Sequence, residues 1–158
     1  MMISKNLINT VIITIILLGL YFCFTGGYGS DEDTLPMMYV FEQRLGAGQF
    51  ATSRFTSFPV AEMGIGFLAY FFGSWAANLF TFIFLIIGLY FFFLSLEIKK
   101  EIKNINIFFL LTLTSPILFF DNLEPVDYSW SFFFFSLGLY FFSRKKNELA
   151  IMFFAFSV

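Results

Sequence analysis

The chain has 158 residues, of which 59% are hydrophobic, 23% aromatic and 13% charged, with a formal net charge of −2 and no histidine. An ordinary soluble domain carries about 25% charged residues and leaves much of its surface in water, so this much apolar surface argues against a soluble globular domain or a disordered chain and for a polytopic membrane protein. Without histidine there is no imidazole acid–base chemistry, no His-ligated metal and no catalytic triad, and nine Lys+Arg against eleven Asp+Glu leave no basic excess for nucleic acid.

The first predicted element is a span over residues 7–24, an uncharged run of about 27 Å as helix. The same run also suits a signal peptide, with Gly27-Tyr28-Gly29 as a small-x-small cleavage site. Cys23 is the only cysteine and has no partner for an internal disulfide. A polar loop over 26–62 follows. Within it, residues 34–45 read as an amphipathic helix lying along the membrane. Asp33 caps it, Pro36 falls in its first turn, Met38, Phe41 and Leu45 share a face, and Gly46-Ala47-Gly48 stops it.

Residues 63–96 are then apolar, about 51 Å as helix, too long for one span and too short for two with a turn. Gly73-Ser74 divides them into an interfacial segment over 63–72 and a span over 75–96. A basic patch over 97–103 leads to a span over 105–120, which Ser115-Pro116 should end or kink. An acidic loop over 121–127 precedes a span over 128–142, opened by the interface-suited Tyr128 and Trp130 and closed by Arg144-Lys145-Lys146. Residues 149–158 begin a further apolar run. The fold class expected is therefore all-α: one polytopic transmembrane domain over 1–158, with about four spans and a truncated fifth, read as an N-terminal fragment.

Charge sorts the loops. With Lys5 and the loops 97–106 and 143–148 inside, seven of the nine cations are inside and eight of the eleven acids outside. That arrangement satisfies the positive-inside rule, leaves no charge within a span, and predicts an inner (plasma) membrane protein with a cytoplasmic N-terminus.

The outer acids are the candidate site. Asp31-Glu32-Asp33 follows a glycine-rich exit from the first span. The triplet suits a solvated helix start complementing the helix dipole, and its Asp-x-Asp spacing equally suits a divalent cation held by carboxylate oxygens. Arg54, one of two outer cations, suits either a phosphate or an ion pair with a neighbouring acid. Asp121, Glu124 and Asp127 follow the Pro-broken helix and suit either a cavity lining or an ordinary polar turn.

Taken in order, the first span, Ser30-Asp31-Glu32-Asp33, the juxtamembrane helix, Gly46-Ala47-Gly48-Gln49-Phe50 and Ser53-Arg54-Phe55-Thr56-Ser57-Phe58-Pro59-Val60-Ala61-Glu62 lead into a short apolar segment and a long span. Thr114-Ser115-Pro116 and an acidic turn come later. This order resembles the amino-terminal part of the GT-C membrane glycosyltransferases, the superfamily of protein O-mannosyltransferases and lipid A aminoarabinose transferases. Ser57 departs from the pattern, since related sequences often carry glycine before the aromatic-Pro pair.

The resemblance implies transfer of a sugar from a polyprenyl-phosphate-linked donor at the outer face, to an acceptor the sequence does not name. By position, the family's essential first-loop acid matches Asp31, with Glu32 or Asp33 as its neighbour. Arg54 is the candidate for the donor phosphate, and Glu62, Asp121 and Asp127 are further candidates for substrate binding. A divalent cation is the one cofactor suggested. Two other readings fit the composition: a transporter or lipid flippase using the outer acids and the Pro-broken helix, and a small non-catalytic membrane subunit.

Overall fold

The computed structural model describes residues 5–28, 39, 41–42, 59–97, 105–115 and 127–158. Among these, every regular element is helical and no strand occurs. The helices are α1 (Lys5–Thr25), α2 (Pro59–Phe72), α3 (Ser74–Glu97), α4 (Ile105–Leu113), α5 (Asp127–Ser143) and α6 (Asn147–Phe156).

Two of them, through Ile8–Thr25 of α1 and Ser74–Leu96 of α3, are long and apolar enough to cross a membrane. Only 17% of the α1 window and 39% of the α3 window are buried inside the bundle. The core helix of a soluble protein would be mostly buried, so these two apolar helices suggest a membrane protein. The finer expectation of four spans and a truncated fifth goes beyond them: α2 and α6 are 14 and 10 residues long, and α4 is helical over 9.

Helix α1 forms because nothing in it breaks a helix, and it ends where Gly26 and Gly27 follow. Gly27 takes a left-handed φ of 65°, which costs glycine little, and the Gly26 amide donates to the Phe22 carbonyl at 2.8 Å. The break expected at Gly73 is sharp. Gly73 has φ 84°, its amide donates to the Ala69 carbonyl at 3.0 Å, and α3 starts at the next residue. On either side the structure departs from the expected limits. Helix α2 begins at Pro59 rather than at residue 63, because proline is well suited to the first helical position. It thereby draws Glu62 out of the polar loop into its first turn. Helix α4 ends at Leu113, where the Ser115 amide turns back to the Thr112 carbonyl at 3.2 Å; the expected span to residue 120 extends outside the described residues.

Packing fixes the direction of α1, α3, α4, α5 and α6. Gly19 of α1 leaves room for the Phe82 ring of α3, while Asn78 of α3 reaches Cys23 and Gly27, so α1 and α3 run antiparallel. Asn106 of α4 donates to Asn9 Oδ1 of α1 at 2.8 Å, and Phe108 packs near Phe92 and Phe93 of α3, so α4 runs with α1. Helix α5 runs with α3: Trp130 meets Thr81, Phe133 stacks on Phe84 at 4.4 Å, and Tyr140 lies beside Phe91. Helix α6 folds back along α5, pairing Phe153 with Phe141 and Phe156 with Phe134.

The described helices therefore have two distinct ends. One gathers the start of α1, the end of α3 and the α5–α6 turn, and holds Arg144, Lys145 and Lys146. The other gathers the end of α1 and the starts of α3 and α5, and with it Asp127.

Two apolar clusters tie the bundle together. Cys23, Phe82, Leu85, Leu89 and Leu113 join α1, α3 and α4. Ala61, Ile65, Ala69, Ala77 and Trp130 join α2, α3 and α5. The second cluster sets three alanines and Ile65 around one large ring, and small residues such as these alanines let apolar helices approach closely.

Candidate functional site: a polar cluster around Trp130

Asn78 lies within the first turns of α3 and is 1% exposed. Its Nδ2 donates to the Gly27 carbonyl at 2.6 Å and reaches the Cys23 carbonyl at 3.4 Å. The last carbonyls of any helix lack intrahelical donors, so Asn78 satisfies the end of α1 from a neighbouring helix. It also fixes the point where the chain leaves α1 toward the acidic triplet. Its own Oδ1 is buried without a hydrogen-bond donor among the described residues.

One turn further along α3, the fully buried Thr81 accepts a hydrogen bond from Trp130 Nε1 at 3.1 Å. The Trp130 ring is wedged between Thr81 and Gly64 of α2 and meets Phe84 edge-on at 4.4 Å. Any side chain at residue 64 would collide with it.

The two described acids of the candidate site are close to these contacts in sequence, Glu62 two residues before Gly64 and Asp127 three before Trp130. Glu62 is in the first turn of α2 and 1% exposed; Asp127 opens α5 and is fully buried. Each sits at the positive end of its helix dipole, where negative charge is favoured. Sequence reading put both in polar outer segments. The structure instead buries them in helical first turns, because α2 and α5 pack against one another through Gly64 and Trp130. Ser129, beside Asp127, is also buried.

The remaining expected site residues, Asp31, Glu32, Asp33, Arg54 and Asp121, lie outside the described residues. Within the expected juxtamembrane helix, Tyr39, Phe41 and Glu42 are helical, and Phe41 is buried against Gly66, Phe67 and Tyr70 of α2. Among the described residues, no group of three or more Cys, Asp or Glu is placed to hold a metal ion.

Comparison with known proteins adds no relative. The chain matches no protein-family description, no curated protein and no solved structure.

Sequence reasoning missed Asn78, Thr81 and Trp130 as partners in this cluster. Asn78 was the available signal: it is the one amide within the apolar run 63–96, and polar side chains inside such runs are costly enough to need a reason. Asn78→Ala is expected to cost about 0.5–1.5 kcal/mol, because it removes the hydrogen bond that Asn78 donates to the Gly27 carbonyl. Denaturation of the purified protein in detergent checks this. An unchanged midpoint would show that the contact contributes nothing.

Proposed function

We propose that this chain is the amino-terminal membrane portion of a GT-C-type glycosyltransferase that takes a sugar from a polyprenyl-phosphate donor at the outer face. The observation that carries the reading is the convergence at one end of the bundle. Asp127 is buried at the start of α5 there, and the end of α1 is pinned at the same end by Asn78; Glu62 is buried at the start of α2, whose Gly64 packs on the Trp130 ring of α5. Asp31 follows Tyr28 by three residues, a chain reach of at most about 11 Å. In this reading the first-loop acids, which follow Tyr28 closely in sequence, act at the end of the bundle that holds Asp127.

In this reading Asp31, assisted by Glu32 or Asp33, takes the proton of an acceptor hydroxyl as that oxygen attacks the anomeric carbon. The bond from that carbon to the donor phosphate breaks, and the phosphate leaves with its electron pair. Arg54 answers the charge that develops there. Glu62 and Asp127 hold and orient substrate. A divalent cation on the triplet would supply further charge stabilisation. Four spans and the start of a fifth cross the inner membrane, with the N-terminus cytoplasmic.

The transporter reading gains one specific observation: Glu62 and Asp127 are acids buried within apolar helices, beside a helix broken at Gly73. Reconstituted protein separates the two readings. Consumption of a lipid-linked sugar favours the transferase, and ion or lipid movement without consumption favours the transporter.

Orientation has its own test. Cys23 is buried, so a thiol reagent reports only introduced cysteines. In intact cells Asp33→Cys is expected to label from outside, and Lys100→Cys only after the membrane is opened. The reverse pattern would contradict the topology.

A further inference from the structure

We propose that the α5–α6 turn is a binding site for a phosphate group at the membrane surface, opposite the acidic end. Its cations are consecutive: Arg144, Lys145 and Lys146, all exposed. They close two open concavities of about 400 Å³ each. One is lined by Lys145, Lys146, Asn147, Glu148 and Leu149, the other by Tyr140, Phe141, Arg144 and Lys146. Lys146 borders both.

The negative end of α5 accounts for part of this charge, since cations suit a helix C-terminus. The Arg144 guanidinium is further steadied over the Tyr140 ring, 5.5 Å from its centroid. Lys146 is different. It is the residue that caps the start of α6, and no side chain closes that cap. A cation there faces the positive end of a helix dipole, alongside first-turn amides that have no intrahelical acceptor. An anion seated among Lys145, Lys146 and those amides removes both penalties at once. The only carboxylate of the turn, Glu148, is one residue into α6 and leaves the segment with a net charge of +2.

The flanks select the kind of anion. Phe142 is 63% and Ile151 69% exposed, so a ligand whose charged head enters the turn meets apolar side chains beside it. A lipid phosphodiester fits that division, and free phosphate shares the same head chemistry. Basic pockets between membrane helices hold anionic head groups in this way.

The test uses the full chain in a zwitterionic detergent, titrated calorimetrically with dihexanoyl phosphatidylglycerol, dihexanoyl phosphatidylcholine and inorganic phosphate. Phosphatidylglycerol is expected to bind at least tenfold more tightly than phosphatidylcholine. Lys146→Gln and Arg144→Gln should each weaken it about fivefold. Lys145→Gly is the variant that guards against misfolding: Lys145 sits at φ 60°, where glycine is less strained, so the turn should hold while binding falls. Glu148→Gln should tighten binding.

Competition by millimolar phosphate would support the site and assign it to the free ion. Selectivity for the lipid alone would support it and assign it to a head group. Equal binding of the two lipids, or variants indistinguishable from wild type, would overturn the proposal.

Discussion

Trp130→Ala is expected to destabilise the bundle by about 3 kcal/mol, the lower part of the range for emptying a buried tryptophan site. The ring is 7% exposed and joins three helices, with Gly64 of α2 on one side, Thr81 and Phe84 of α3 on another, and α5 as its base. Its removal opens a void between helices and leaves Thr81 without the indole donor. Between helices in a bilayer, lipid is as apolar as the side chains, so the loss comes from packing and the hydrogen bond rather than from transfer out of water. That places the effect low in a range measured on water-soluble proteins.

Thr81→Val separates the two contributions. It keeps the ring seated and strands the Nε1–H, at a cost of about 1–3 kcal/mol. Unfolding in mixed micelles reads both variants. A Trp130→Ala protein as stable as Thr81→Val would show that the wedge contributes no packing.

The helical segments were legible because membrane helices are written as long apolar runs. The runs at 7–24, 75–96 and 128–142 correspond to α1, α3 and α5 to within a few residues. The break at Gly73 was legible too, since a small flexible residue interrupted an apolar stretch of the wrong length. What escaped was anything decided by a neighbour. Glu62 marks a loop by its charge, yet the chain runs helical from Pro59 because Gly64 and Gly66 let Trp130 and Phe41 pack onto α2. Asp127 looks like part of an acidic turn, yet it is fully buried at the head of α5. Asn78 hardly alters the hydropathy of its run, and its work is done on the end of a different helix. Of the candidate site, Glu62 and Asp127 are placed by the structure, and Asp31, Glu32, Asp33, Arg54 and Asp121 lie outside the described residues.

The largest functional effect is expected at Asp31. Asp31→Asn keeps the size of the side chain and removes its capacity to accept a proton. A positioned general base contributes about 10²–10⁴-fold, so transfer should fall by that factor while binding of the lipid donor changes little. Because an amide retains the shape and hydrogen-bonding reach of the carboxylate, loss of rate with retained binding separates proton transfer from folding. Glu32→Gln and Asp33→Asn report which neighbour assists: the assisting acid should show a smaller loss and the other almost none. Equal, modest losses at all three positions would instead point to a triplet acting only through its summed charge.

The central claim is that a sugar leaves a polyprenyl phosphate at the acidic end of this bundle. The most direct measurement reconstitutes the gene product that carries this chain in liposomes, with the radiolabelled lipid-linked sugar pool of its own cell, and follows label leaving the polyprenyl fraction. The account predicts time-dependent loss of label with the wild type and at least a hundredfold slower loss with Asp31→Asn. Label that stays on the polyprenyl carrier with the wild type, or leaves it equally fast with Asp31→Asn, would contradict it.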